Sequence, residues 1–316
     1  MSLYLVTGGA GFIGSHLAHR FVQNGEKVRI LDDFSTGRRE NLEDIAGAVE
    51  VVEGDIRDGG TVRSAVRGAD FIVHQAALAS VPRSIEDPIS TNDVNIGGTL
   101  NLLVAAREEG VARFVFASSS SVYGDSESPA KKETDPLAPL SPYAVSKQVG
   151  EMYGLVFHSL HGLPFVALRY FNVFGPNQDE NSPYAAVIPI FVDRMLQGKR
   201  PVIYGDGTQS RDFTYISNVV DANVLALSRD EAVGTVMNVA CGDSYDLNYL
   251  VKALNQSLGL EMEPVYDPPR PGDVLHSRAD ISRAKELLRF TPRTSFEDGM
   301  EQTVRWYQER FSAGRG

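Results

Sequence analysis

The chain has 316 residues with 30 Lys and Arg against 41 Asp and Glu, a formal net charge of −11 with no basic cluster, which excludes a nucleic-acid surface or an anionic membrane as an expected partner. It is longer than the roughly 100–200 residues of a typical domain and can bury a sizeable core, so one large or two intimately packed domains are expected. A single cysteine, Cys241, rules out a disulfide framework or a cysteine metal site and fits a reducing cytoplasm.

In chain order, Leu3–Val6 is a short apolar run that stops at Thr7-Gly-Gly-Ala-Gly-Phe-Ile-Gly14. The glycine loop arrives so early that no secretory leader is expected. A helix follows, with Ile13, Leu17 and Phe21 on one face and Asn24-Gly25 at its end. Strands are predicted over Lys27–Leu31, Val49–Val52 and Phe71–His74, and a helix around Asn95–Glu109 leads to a strand at Arg113–Ala117. A long helix runs to His161, with Ser141 as its cap and Pro142 in its first turn. Phe165–Arg169 is the next strand. Strands alternating with helices predict a doubly wound parallel α/β sheet over residues 1–174. From about Phe174 the sequence loosens into Gly-, Pro- and Asn-rich stretches, and a smaller α/β substrate-binding half is expected over 175–316. The segment Thr235–Ala240 is expected to return to the first sheet. No apolar run approaches the ~18 residues of a membrane span, and the six histidines show no metal spacing.

Gly8, Gly11 and Gly14 follow a strand directly and open a helix. Glycines there allow a tight turn and close backbone approach, and the helix N-terminus offers amide donors to a pyrophosphate. Asp32, about 20 residues beyond the loop, ends the second strand, where a carboxylate suits ribose hydroxyls and repels a 2′-phosphate. With Asp33 beside it, NAD is expected rather than NADP, although Arg38 and Arg39 lie slightly further on. Asp55-Ile56 ends the third strand, where either a contact to adenine or a turn cap is open.

Tyr143-Ala-Val-Ser-Lys147 carries the chemistry. Residues four apart on a helix share a face, and an ammonium beside a phenol lowers a pKa that otherwise sits near ~10. Such a phenol takes a proton from an alcohol at neutral pH, and beside a dinucleotide this suggests reversible oxidation of an alcohol to a ketone. Ala117-Ser-Ser-Ser-Ser-Val-Tyr-Gly124 begins at the C-terminal end of a predicted strand, where open α/β sheets bind ligands.

Taken together, Thr7–Gly14, Asp55-Ile56, Asn95, Ser118–Gly124, Tyr143–Lys147, Arg169–Gly175, Gly205–Asp212 and Arg270-Pro-Gly-Asp273 resemble the extended short-chain dehydrogenase/reductase family, in particular its nucleotide-sugar epimerases. The resemblance implies Tyr143 as base, Lys147 as ribose ligand and pKa modulator, and Ser119 as the hydroxyl beside them, with Ser120 the nearest alternative. It implies NAD contacts at Phe12, Ile13, Ser35, Gln75, Ala76, Ala77, Asn95 and Phe171, besides the glycines and acids above. UDP-sugar contacts are implied at Asn172, Ala186, Val187, Val202, Tyr204, Arg211, Arg270, Asp273 and Ser277. Arginine's fork of donors suits the UDP phosphates. A homodimer through two helices of the first domain is implied as well.

The family's sugar dehydratases resemble one another in an Asp-Glu pair between the serine and the V-Y-G tyrosine. This chain has Ser120-Ser121, so 4-epimerisation is expected over elimination or decarboxylation. Loss of Tyr or Lys marks the non-enzymatic NAD-binding relatives, and both residues are kept here. Ser277 stands where the family's tyrosine excludes N-acetyl groups, and a small residue leaves room. An acetylated hexosamine is therefore the favoured sugar, with UDP-glucose/UDP-galactose next. A UDP-glucuronate epimerase would need a cation aimed at the sugar carboxylate, and the sequence names none.

Overall fold

Short runs of Val, Ile, Leu and Phe separated by amphipathic helices set up the first layer. The computed structural model describes residues 1–179, 186–269 and 274–313. β1 (Leu3–Thr7), β2 (Lys27–Asp32), β3 (Val49–Glu53), β4 (Phe71–His74), β5 (Arg113–Ser119) and β6 (Phe165–Tyr170) are the six strands read from the sequence. Four short strands follow: β7 (Val173–Phe174), β8 (Val202–Tyr204), β9 (Ser210–Arg211) and β10 (Thr214–Tyr215). β11 (Thr235–Val239) then returns to pair in parallel with β6. The sheet order is β11-β6-β5-β4-β1-β2-β3, parallel throughout. Winding reverses between β1 and β4, which opens a crevice above their carboxyl ends.

Alternate residues of the strands face opposite layers. Val6, Ile30, Val115 and Leu168 join one apolar cluster, and Leu5, Leu31, Phe116 and Ala167 the other. Six helices complete this half: α1 (Phe12–Gln23), α2 (Gly59–Val66), α3 (Val81–Glu86), α4 (Pro88–Asn92), α5 (Thr99–Glu109) and α6 (Pro142–His161). At the start of α6 the Ser141 hydroxyl accepts the Ala144 amide at 3.2 Å, the cap that Ser141-Pro142 predicts. The helix expected around Asn95–Glu109 is instead two pieces, because Asp93–Gly98 forms a π-helical turn ahead of α5. Such bulges are frequent at functional sites, and this one turns Asn95 into the protein.

The later part holds α7 (Val187–Leu196), α8 (Ile216–Ser228), α9 (Leu247–Leu258), α10 (Ser282–Leu287) and α11 (Phe296–Ala313), with β12 (Tyr245–Asp246), β13 (Val265–Asp267) and β14 (His276–Ser277). Its short strands make three small sheets: β10-β7, β12-β9-β14 and β13-β8. Helix α8 packs on α1, β5 and β6. The return to the first layer thus begins at Ile216, earlier than the 235–240 segment that hydropathy picks out.

Candidate active site

The glycine loop is shaped by contacts that a side chain would block. Gly8 adopts φ +66°, and a Cβ on it would lie 2.7 Å from the Ala76 amide nitrogen. A Cβ on Gly14 would lie 2.1 Å from the Gly8 carbonyl oxygen. The first turn of α1 has no side-chain cap, so its amides remain available to an anion. A cleft of about 240 Å³ runs from here along Asp32, Asp33, Ser35, Asp55 and Ile56 to Gln75, Ala76 and Ala77, and it also takes in Gly11, Phe12 and Ile13.

Within this cleft the acids differ in what they hold. The buried Asp32 carboxylate accepts the Ala10 amide at 2.8 Å and the Phe34 amide at 2.8 Å, so it also fixes the glycine loop. Burial raises its pKa against those two hydrogen bonds. Exposed Asp33 accepts the Ser35 amide and hydroxyl, at 2.9 and 2.6 Å. The Asp55 side chain is a turn residue first: it accepts the Arg57 amide at 2.8 Å and the Arg57 guanidinium at 2.5 Å, which hold its pKa low. Arg38 is paired with Asp179, and Arg39 with Glu53 at 2.5 Å while lying 3.9 Å over the Phe34 ring. Neither arginine is left to meet a 2′-phosphate, and the donor set fits NAD.

Two residues that the resemblance assigns to the cofactor, Asn95 and Phe171, are buried and held by contacts within the protein. The Asn95 carboxamide accepts the Leu78 amide at 2.8 Å and donates to Leu78 O at 3.2 Å and to Ser146 Oγ at 3.0 Å. It ties the cleft wall to α6 and stands behind the cofactor surface. The Phe171 ring is fully buried against Val122, Tyr123 and Ala279, because its position on the chain leaving β6 faces that cluster. Sequence reasoning missed the buried chain behind the cleft. Thr99 donates to Asn95 O at 2.5 Å, so His74 Nε2–H must donate to Thr99 Oγ1 (2.9 Å), leaving Nδ1 to accept from Thr7 (2.7 Å). Burial, then the nearby Lys147 charge, lowers His74 to about 3 and keeps it neutral.

At the carboxyl end of β5, three successive residues meet three successive turns of α6. Ser119 stands beside the Tyr143 phenol and holds its pKa down against burial, and Lys147 Nζ donates to Ala117 O at 2.8 Å. Ser118 Oγ donates to Glu151 Oε1 at 2.5 Å. Ser119 Oγ also accepts the Ser121 amide at 3.2 Å and the Ser121 hydroxyl at 2.9 Å, which leaves its own proton for Tyr143. Ser120 starts the short 3₁₀ turn Ser120–Tyr123 and is half-buried. The Tyr143 phenol and the Lys147 ammonium lie one turn apart on the same face of α6. Burial raises that phenol, the opposing influence is Ser119, and the ammonium stands 5.8 Å from the ring centroid, held on Ala117. Burial brings Lys147 itself down to about 8, with Glu151 opposing.

A second cavity, of about 390 Å³, opens in the later half between α7, β8 and β9. Asn172, Ala186, Val187, Val202, Tyr204 and Arg211 line it as the sequence implies, joined by Gln178, Arg194, Gln209 and Phe213, which sequence reasoning missed. Asn172 has φ +33° and donates to Asp212 O at 3.3 Å. Buried Asp212 accepts the amides of Cys241, Gly242 and Ala279 at 3.0, 3.0 and 3.2 Å, which anchors the strand that carries Arg211. Ser277 is the register partner of Arg211 across β14-β9. Arg270 and Asp273 lie outside the described residues. Among the described residues no helix is long and apolar enough to cross a membrane.

Residues 4–240 match the sequence profile of the NAD dependent epimerase/dehydratase family. The chain belongs to that family. It is 38% identical over 310 residues to a UDP-glucose 4-epimerase of Mycolicibacterium smegmatis, covering 97% of this chain and 98% of the relative. It is 35% identical to a UDP-N-acetyl-alpha-D-glucosaminuronate decarboxylase of Bacillus cytotoxicus, covering 96% and 97%. The solved structure of the UDP-N-acetylglucosamine 4-epimerase of Methanobrevibacter ruminantium, in complex with UDP-N-acetylmuramic acid, superposes with a TM-score of 0.94 at 41% identity, covering 98% of this chain and 99% of that one. As in this NAD dependent epimerase/dehydratase family generally, the cofactor is NAD, and the chain is an enzyme of the nucleotide-sugar epimerase and dehydratase group.

Proposed function

We propose that the protein is a UDP-hexose 4-epimerase acting on UDP-N-acetylglucosamine/UDP-N-acetylgalactosamine, UDP-glucose/UDP-galactose or both. The observation that carries this is Ser119 standing beside Tyr143, next to the turn Ser120–Tyr123, whose Ser121 hydroxyl donates to Ser119. That turn offers hydroxyls and no carboxylic acid, so it can steady an alcohol oxygen but has no group to protonate a departing water.

Tyr143 takes the proton of the sugar C4 hydroxyl while Ser119 holds the oxygen. NAD, held along the glycine loop, Asp32 and Asp33, would supply the acceptor and donor for the C4 hydride. The 4-keto sugar turns within the cavity, Tyr143 returns the proton, and the product differs from the substrate at C4 alone. Lys147 presents a fixed cation beside the pair, and the Asp32–Asp33 end of the cleft holds the adenosine ribose. Arg211, Arg194 and Tyr204 are placed to receive the UDP moiety, with Arg270 and Asp273 joining them by resemblance. We divide the roles between a cofactor half (1–174 with α8 and β11) and a UDP-sugar half formed by the remainder.

The Mycolicibacterium and Methanobrevibacter relatives support the epimerase reading, whereas the Bacillus decarboxylase marks the alternative. To separate them, the protein is incubated without added cofactor with UDP-glucose or UDP-N-acetylglucosamine, and the anomeric protons are followed by NMR. Conversion to the galacto isomer at unchanged mass is expected, and the rate ratio names the sugar. Loss of water or carbon dioxide, or no conversion of either sugar after NAD is added, overturns the proposal.

We also propose a homodimer. Val145, Met152, Val156 and Leu160 expose one apolar stripe along α6, and Ile85 and Ile89 continue it from α3 and α4. Contiguous apolar surface of this kind marks an interaction face, and symmetric pairing of the same patch is the commonest closed solution.

A further inference from the structure

Below the acid–base pair lies a buried charge pair that none of the roles above uses. Glu151 and Arg169 have side chains only 4% exposed. Arg169 grips both carboxylate oxygens, Nε to Oε1 at 2.8 Å and Nη2 to Oε2 at 2.7 Å. Its remaining nitrogen donates to the Tyr123 hydroxyl at 2.8 Å, and that hydroxyl donates to Asn238 Oδ1 at 2.7 Å. Ser118 Oγ shares Glu151 Oε1. Ser118 and Arg169 are direct register partners across β5 and β6. One carboxylate therefore joins α6, β5, β6 and, through Tyr123 and Asn238, β11.

The placement on α6 is what connects this pair to the chemistry. Tyr143, Lys147 and Glu151 are spaced four apart, so they lie on one helix face. Each meets a different one of three consecutive residues, Ser119, Ala117 and Ser118. A slip of α6 along β5 would break all three contacts together. Both charges are buried and joined by two hydrogen bonds, so separating them is costly, and the Glu151–Arg169 pair is the rung that holds that register. Its anion is also the neighbour of Lys147. The charged and titratable groups facing Lys147 are Glu151 and Tyr143 on α6 and His74 on β4, and His74 is neutral.

We propose that Glu151 is a positioning residue for the reaction: bound by Ser118 and Arg169, it fixes the register that sets Ser119 on Tyr143, and it supplies the anion that keeps Lys147 cationic. This rests on reading Tyr143 as the base with the Lys147 cation beside it. Burial already brings the Lys147 ammonium down to about 8, and Glu151 is the group opposing that fall. Without the carboxylate, Lys147 gives up its proton at lower pH, and the alkaline limb of turnover moves the same way.

The test is Glu151→Gln in the full chain, with kcat and KM measured across pH on the sugar the protein converts, and bound NAD measured by absorbance after denaturation. A fall of at least tenfold in kcat is expected, with the alkaline limb displaced downward by about one pH unit. KM should stay within about twofold, because Glu151 lines neither cleft. If the lone Arg169 cation prevents folding, Glu151→Gln combined with Arg169→Gln removes both charges, and the same displacement is expected. Ser118→Ala takes only the shared hydroxyl and is measured where neither charge variant folds; a several-fold drop in kcat is expected. A wild-type kcat and an unmoved alkaline limb in whichever variant folds overturn the proposal. Turnover retained by Tyr143→Phe would instead sink the reading it rests on, so the two failures are distinguishable.

Discussion

At the scale of single residues, the pairing of Ser119 with Tyr143 makes a sharp demand. A phenol that burial pushes upward is a poor base unless its neighbours are in place, so the ring without its hydroxyl should do almost nothing. Tyr143→Phe is expected to lose at least about 10²–10⁴-fold in kcat, the usual contribution of a positioned acid–base group, while retaining NAD by absorbance. Unaltered turnover removes Tyr143 from the mechanism. Ser277 invites the second test at this scale. It stands opposite Arg211, which lines the second cavity, and is half-buried, so a larger side chain there would crowd Arg211. Ser277→Tyr is expected to abolish turnover of the N-acetylated sugar while UDP-glucose turnover persists, read as a ratio of kcat/KM values; an unchanged ratio refutes the gate. The glycines and Asp32 were legible from spacing because each answers a local backbone or charge requirement. The contacts of Asn95 and Phe171 with Leu78, Ser146 and the Tyr123 cluster were not legible, because those partners come from distant parts of the chain. Only the fold decides which way such a side chain faces.

At the scale of elements, the segment after β7 does more than connect the two halves. Its polar composition reads as a loop, yet residues 176–179 fasten it to the cofactor half. His16 Nε2 reaches Pro176 O at 2.9 Å, Asn177 donates to Ser15 Oγ at 3.2 Å, and Asp179 pairs with Arg38. Ser15 and His16 belong to α1, whose first turn faces the cofactor cleft, while Gln178 lines the second cavity. The two clefts thus share a clasp built from backbone and small polar contacts. Asp179→Ala is expected to raise the NAD dissociation rate several-fold and to make turnover depend on added NAD, with kcat recovered at saturation. Dissociation of NAD at the wild-type rate would show that the clasp is ornamental. None of these long-range pairs has a sequence signature, since each joins positions more than 140 residues apart. By contrast α6 was readable to its ends because Ser141, Pro142 and Gly162 are local signals.

At the scale of the whole molecule, the parallel sheet was readable because βαβ units admit essentially one handedness and a short list of orders. The return of Thr235–Val239 to that sheet was readable as an apolar run, whereas the packing of α8 on it was not, since helix α8 has no local mark distinguishing the sheet it covers. The same scale governs assembly. Helix α6 carries Tyr143, Lys147 and Glu151 on its inner face and Met152, Val156 and Leu160 on its outer one. Leu160 is 72% and Ile89 74% exposed, a poor arrangement for a lone chain already carrying a net charge of −11. Covering that stripe with its own copy removes apolar surface at about 25 cal/mol per Å² and stiffens the helix that holds the acid–base pair. The protein is therefore expected to run in light scattering at twice the chain's 34.5 kDa. Val156→Glu should halve that mass and lower the melting temperature by several degrees. It should also cost turnover, because the freed helix no longer holds Tyr143 against Ser119 as firmly. A wild-type protein that is monomeric at micromolar concentration, or a variant that stays dimeric, would place the interface elsewhere and leave the stripe unexplained.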